Sequence, residues 1–502
     1  MTRLGRPTQY HRPVKRALLL YGIIVVGAVI AVLAILQFGD SHYLDALTGG
    51  GAAQPLAHAQ AAQAAQVQAQ AHAAQAQGST AYANLRHPLA VLIIQLIVVV
   101  LTARMFGYWA TRLGQPPVVG EIIAGLALGP SLFGWVWPAA WQFVFPVSSL
   151  GTLQLFSQVG VILFMFVAGL ELDTRHLRHR AHTAVAVSHV SIVLPFLLGV
   201  SLALVMYSGY APPGVPFHAF ALFMGIAMSI TAFPVLARIL SDQNLMTTPL
   251  GSTAITCAAV DDVTAWTLLA MVVAIATQGA ALSVLINIAV WATAFVLLML
   301  CVVRPWLASL FDRPAGETPV TRERVALVLA VVFGAALFTE ALGVHALFGA
   351  FVAGVCMPAM PEVRDQLRER LESFATVFLL PVFFAFTGLR TELGLLTDLN
   401  GWMICAVIIL IATVGKLGGS MLAARFTGMD WNGAFMLGAL MNTRGLMELV
   451  ALNVGYELGV LSPRLFTMMV VMALVTTAMT GPLLQLARQR ERPIGDKSWL
   501  PT

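Results

Sequence analysis

The chain has 502 residues, 59% of them hydrophobic and 10% charged, with a mean hydropathy of +0.84. No soluble core absorbs that apolar share, so the sequence reads as an all-α polytopic membrane protein whose first partner is the lipid bilayer. The net charge of +5 and pI near 9.2 do not argue for nucleic acid, because in a membrane protein the placement of basic residues matters more than their sum.

A basic segment and one apolar span, near Ala17 to Phe38, form an N-terminal unit over residues 1–40. The apolar run is longer than the ~7–15 residues of a signal-peptide core, which favours a retained anchor over a cleaved leader. Residues 41–87 are an Ala/Gln-biased external linker without an apolar stripe, and its His58 and His72 read as composition rather than as metal ligands. From 88 to 487, hydropathy gives thirteen spans, near 88–109, 116–130, 149–170, 184–207, 218–240, 250–277, 282–303, 323–341, 344–358, 373–390, 401–423, 432–459 and 465–486. A short tail, 488–502, follows. Cytoplasmic termini leave 23 of the 28 Lys and Arg inside, with Arg86, Arg390 and Arg464 outside and Lys416 and Arg444 within the membrane. The positive-inside rule selects that orientation, in a cytoplasmic (inner) membrane. Cys257, Cys301, Cys356 and Cys405 sit in apolar segments with no CxxC or histidine set and read as buried free thiols. No cofactor is expected.

The membrane-depth polar residues carry the functional signal. Glu121 lies inside its span, where lining a funnel and simple interfacial solvation are both open; Glu171 and Glu340, near span ends, read as interfacial. In SITAFPVLARIL, Pro234 stands mid-span after Ser229 and Thr231; proline removes a backbone donor and frees carbonyls that can bind a cation where the backbone lines a cavity. Asp261 and Asp262 follow in an unbroken apolar stretch. An ionised group at the bilayer centre costs at least ~2.5–3.5 kcal/mol, so embedded carboxylates mark ion pathways or proton relays. Successive helical residues point about 100° apart, so one carboxylate can serve a cation site while its neighbour serves a counter-ion. Asp262 with Thr231 and freed carbonyls is the expected set of hard oxygen ligands for a monovalent cation. Lys416, the only lysine outside the two termini, needs an anion to keep its charge in apolar surroundings, and Asp261 is the expected partner. A second broken span holds Asn442, Thr443, Arg444 and Gly445 at its centre. Arg444 and Glu448, spaced i, i+4, can pair on one helix face; an ion pair that holds the bundle and a direct part in transport both fit.

A weak repeat relates VVGEIIAGLALGP (118–130) to LFGAFVAGVCMP (347–358), and FVAGLEL (166–172) to FAFTGLR (384–390). The two members of each pair run in opposite senses in the orientation above, as inverted-topology repeats do. Recurrent small-residue packing motifs are the alternative.

With GQPPVVGEIIAGLALGPSLFG, SITAFPVLARIL, AAVDDVTAW, HALFGAFVAGVCMP, PVFFAFTGLRTELG, GKLGG and NTRGLMELVALNVG in this order and spacing, the chain resembles cation:proton antiporter family 2 of the sodium/proton exchanger superfamily, over residues 88 to about 487. The resemblance implies a thirteen-helix unit of inverted repeats with two crossed interrupted helices, here with one extra N-terminal transmembrane helix. It also implies a homodimer in which a mobile core moves against a dimerisation domain. Asp262 then matches the cation- and proton-binding carboxylate, and Asp261 the neighbour that pairs with Lys416. Two adjacent acids resemble electrogenic members. Kef-type relatives carry a C-terminal nucleotide-binding domain, and the short tail gives no expectation of gating by one in cis.

The expected function is secondary active exchange of Na⁺ or K⁺ for protons, serving pH homeostasis, with no enzymatic activity. A channel of the same architecture is the first alternative. An intramembrane aspartyl protease is the second, but its carboxylates converge from different helices around a water, whereas these two are adjacent.

Overall fold

The computed structural model describes residues 27–40, 85–171, 181–245, 248–278, 282–311, 320–342, 345–358 and 360–491. The basic N-terminus, nearly all of the linker with His58 and His72, the loop bearing Arg175, Arg178 and Arg180, and the tail beyond 491 lie outside the described residues. Among the described residues every regular element is a helix; ten are long and apolar enough to cross a membrane, and Gly27–Asp40, Phe217–Ser229 and Ala346–Val355 are shorter apolar helices.

The helices are α1 (Gly27–Asp40), α2 (Pro88–Arg112), α3 (Pro117–Leu128), α4 (Val147–Glu171), α5 (Ala181–Tyr210), α6 (Phe217–Ser229), α7 (Phe233–Asp242), α8 (Pro249–Gln278), α9 (Leu282–Leu298), α10 (Arg322–Ala341) and α11 (Ala346–Val355). They continue as α12 (Pro361–Leu389) and α13 (Leu399–Phe426), then α14 (Trp431–Met441), α15 (Leu446–Glu457) and α16 (Pro463–Glu491). The spans at 218–240 and 432–459 each divide into two half-helices, at the breaks expected around Pro234 and Asn442 to Gly445. One expected span differs. The one expected at 373–390 begins at Pro361, since the amphipathic run PEVRDQLRERLESF continues the same helix.

Two bodies emerge from the packing. In one, α5 packs on α6, α8 and α13, and α14 packs on α13, α16 and α8. In the other, α3 packs on α2 and α12, α4 on α11 and α12, and α10 on α11. The second body is closed by glycine contacts. A Cβ at Gly125 would lie 2.2 Å from the Phe384 carbonyl oxygen, and one at Gly354 would lie 2.2 Å from that of Phe166 and 2.9 Å from Gly169 Cα. The sequence repeat sets Gly125 opposite Gly354, and each closes on a glycine of the other repeated segment, Gly388 and Gly169, which lie one position apart in that pair. Because backbone rather than a movable side chain fills the space (2.0 Å from Gly125 C at Gly388), Gly388→Val is expected to cost more than the ~1–3 kcal/mol of ordinary overpacking. Thermal unfolding in detergent measures the loss.

The extra helix α1 docks on the first body. Ala28 is buried, and Val32, Ile35 and Leu36 pack against the main apolar cluster. At its end the Asp40 carboxylate accepts from the backbone N–H of His218 at 3.3 Å and lies 3.2 Å from its Nδ1, capping the first turn of α6.

Candidate functional site

Two broken helices meet in the first body. Helix α6 stops at Ser229, Ile230 takes an extended conformation (φ −70°, ψ 137°), and α7 starts at Phe233. Pro234 therefore stands in the first turn of α7, where a helix has no partner for its N–H in any case; it marks a start rather than a kink. The second break covers Asn442 to Gly445, between α14 and α15. The breaks touch: the Ala232 N–H donates to the Thr443 carbonyl at 3.1 Å. A Cβ on Gly445 would stand 2.9 Å from Val235 Cγ2, so glycine permits the crossing.

A broken helix leaves carbonyls without partners, and here buried cations take them. Arg444 donates through NH1 to the Ala227 carbonyl at 3.0 Å and through NH2 to that of Met228 at 2.7 Å. Its NH1 also lies 3.2 Å from Glu448 Oε1, with both side chains fully buried. Lys416 Nζ donates to the Ser229 carbonyl and, at 3.0 Å, to that of Ser191. The second acceptor has a cause in the sequence. Pro195 lies inside α5 and has no N–H to give the carbonyl four residues back, which is Ser191. Two positive charges at the C-terminal end of α6 also complement its dipole. Lys416 sits in a π-helical turn, Val414–Gly418, where Gly415 and Gly419 let α13 approach Pro195 and Leu194 of α5.

The two aspartates on α8 have unequal surroundings. Asp261 Oδ2 lies 3.2 Å from Lys416 Nζ, with both side chains at 0% exposure. The Thr231 hydroxyl donates to the same oxygen at 2.6 Å, Ser191 Oγ stands 2.8 Å from it, and the Ser188 hydroxyl donates to Oδ1. Asp262, 2% exposed, takes the backbone N–H of Phe233 at the start of α7, and its Oδ1 is buried without a hydrogen-bond partner. One carboxylate is thus neutralised and hydrogen-bonded on both oxygens, while its neighbour keeps an unused oxygen at the crossing. An orphaned buried carboxylate oxygen is costly, and it is a hard ligand suited to a proton or a monovalent cation.

The structure brings Asp261, Asp262, Thr231, Ser229, Lys416, Arg444 and Glu448 together, with Asn442, Thr443 and Gly445 forming the second break. One expectation changes. Thr231, grouped in the sequence reading with Asp262, turns its hydroxyl to Asp261, because adjacent helical residues face different neighbours. Glu121 is buried on α3, which packs chiefly on α2 and α12. The Ser229 hydroxyl bonds within its own helix, to the Ile226 carbonyl at 2.9 Å, and contributes only its carbonyl to Lys416. Sequence reasoning missed Ser188 and Ser191; the legible signal was their i, i+3 spacing in an apolar span, with Pro195 four residues after the second.

The profile of the family described as sodium/hydrogen exchanger, transmembrane, matches residues 96–487. The chain belongs to this family. It is 42% identical to the Na⁺/H⁺ antiporter NhaS4 of Synechocystis over 399 residues, covering 79% of this chain and 96% of that protein. It is 38% identical to cation/H⁺ antiporter 17 of Arabidopsis thaliana (80% of this chain, 48% of the relative) and 32% identical to K⁺/H⁺ antiporter 1 of Saccharomyces cerevisiae (80% and 47%). This exchanger-family chain thus spans nearly all of the first relative and about half the length of the other two. The solved sodium proton antiporter MjNhaP1 of Methanocaldococcus jannaschii matches the fold with a TM-score of 0.59 at 15% identity, over 80% of this chain and 99% of that one.

Proposed function

We infer that the protein is a secondary active cation:proton antiporter, a multi-pass membrane transporter and not an enzyme. The observation that carries the mechanism is the inequality of the two aspartates: Lys416 neutralises Asp261, and Asp262 retains an oxygen with no partner. In the proposed cycle a proton and a monovalent cation compete for Asp262, and movement of the first body against the second exposes that carboxylate to one side at a time. Asp261, held by Lys416, Thr231, Ser188 and Ser191, fixes the register of α8. Arg444 and Glu448 hold the ends of the broken helices. The two glycine contacts support an inverted-repeat origin for the thirteen-span unit. The distribution of basic residues supports cytoplasmic termini in a cytoplasmic membrane, and the second body is the proposed homodimer surface.

Because relatives are named for both Na⁺ and K⁺, the test is proton flux in everted vesicles with each ion in turn, with and without a clamped membrane potential. Cation-independent flux with either ion overturns antiport. Competition also fixes the sign of the pH dependence. As pH falls, protons fill the carboxylate, so the cation concentration giving half-maximal flux rises by up to about tenfold per pH unit, while the maximal rate at saturating cation stays constant. A falling maximal rate with fixed half-saturation rules out a shared site.

A further inference from the structure

Polar side chains from both bodies converge where α15 ends, away from the aspartates. Glu457 Oε1 accepts from Arg390 NH1 and from Gln154 Nε2, each at 2.9 Å, and its Oε2 accepts from Gln158 Nε2 at 3.2 Å. One turn earlier, Asn453 accepts from the same Arg390 NH1 at 3.0 Å and donates to Thr387 Oγ1 at 2.9 Å. The Arg390 guanidinium lies 4.1 Å from the Phe386 ring centroid and 5.3 Å from that of Tyr456. Asn453, Tyr456 and Glu457 belong to the ion-bearing body. Gln154 and Gln158 on α4, and Phe386, Thr387 and Arg390 at the end of α12, belong to the other. Beside them a cavity of about 550 Å³ follows the seam, walled by Thr277 and Val454 from the first body and by Gln158, Glu340 and His345 from the second.

The exposure of this ion pair separates it from the one at the centre. Lys416 and Asp261 are 0% exposed, whereas the Arg390 and Glu457 side chains retain 16% and 25%. A fully buried pair that loses its partner is left uncompensated, but a partly exposed pair regains water when it parts. The central pair is built to stay closed, and the pair at the seam can be released. Bonds that join two bodies in one arrangement must break when those bodies slide.

We propose that Glu457 is a positioning residue for exchange: its bonds to Arg390, Gln154 and Gln158 latch the ion-bearing body to the second body and hold shut the face on which α15 ends. That face is external in the proposed orientation, and the latch rests on the antiporter reading. Removing it shifts the population toward the arrangement open on that face.

The test is thiol accessibility in the purified full chain, independent of transport. Val454, 5% exposed, faces the seam cavity, and Cys301 is the exposed one of the four native cysteines. In a Cys301→Ser, Val454→Cys background, Glu457→Ala and Arg390→Ala are each expected to speed labelling by a membrane-impermeant thiol reagent at least about fivefold. Buried Cys405 is the internal control and is expected to stay unlabelled. Unchanged labelling of the introduced cysteine in both variants overturns the latch, and so does parallel labelling of Cys405, which reports general loosening. Absence of cation-dependent proton flux in the unmutated chain sinks the antiporter reading by itself and leaves the labelling result to be judged separately.

Discussion

Asp262→Asn is expected to abolish cation-dependent proton flux, by a factor of a hundred or more, in a protein that still folds. The substitution keeps nearly the same volume and leaves a carbonyl oxygen for the Phe233 N–H, so the local packing and the one backbone bond survive. It removes the negative charge and the titratable proton. The other oxygen, Oδ1, already lacks a partner, so no bond that stabilises the fold is lost there. Vesicle flux with a pH-sensitive dye, together with a thermal melt of the purified variant, decides the matter. Normal flux in the folded variant removes Asp262 from the mechanism.

Lys416→Ala is expected to destabilise the protein by about 3–5 kcal/mol, the usual consequence of truncating one member of a buried ion pair. Three groups lose a partner together: Asp261 Oδ2 and the carbonyls of Ser191 and Ser229. Adding Asp261→Asn cancels the uncompensated charge but not the two stranded carbonyls, each a loss of about 1–3 kcal/mol. The double variant is therefore expected to regain part of the lost stability relative to Lys416→Ala. A thermal-shift double-mutant cycle reads the coupling, and strictly additive losses would show that the contact carries no energy. Asp261 can also escape its isolation by taking up a proton, which leaves the centre with the same net charge, so Lys416→Ala is expected to lose stability more than exchange.

The charged centre was legible because its residues violate their surroundings. A lysine or an aspartate in an apolar run needs a reason, and the candidate partners are few, so Asp261 and Lys416 could be matched without coordinates. Pro234 and the Asn442–Gly445 stretch signalled broken helices for a similar reason. What periodicity could not show is which way a hydroxyl turns. Thr231 lies at the right depth for either aspartate, and the choice depends on the crossing with α14, a long-range fact. Ser188 and Ser191 escaped because a serine in a membrane helix usually bonds its own backbone, and Ser191 Oγ also stands 2.8 Å from the Ser188 carbonyl. Their service to Asp261 depends on α5 and α8 lying side by side. The seam cluster at Glu457 was invisible for another reason: Arg390 and Glu457 sit near span ends, where polar residues are ordinary, and Gln154 and Gln158 are uncharged.

The five buried ionisable side chains of the centre, Asp261, Asp262, Lys416, Arg444 and Glu448, are each at most 2% exposed. With all of them ionised, three carboxylates face two cations and the unloaded centre carries one net negative charge. Moving an uncompensated charge through a low-dielectric seam is expensive, whereas a centre holding one proton or one monovalent cation is electrically neutral and escapes that barrier. The same arithmetic that strands the empty carrier frees the loaded one. In the proposed cycle, obligatory exchange then needs no separate interlock, because slippage without cargo is opposed by the self-energy of a single unpaired carboxylate.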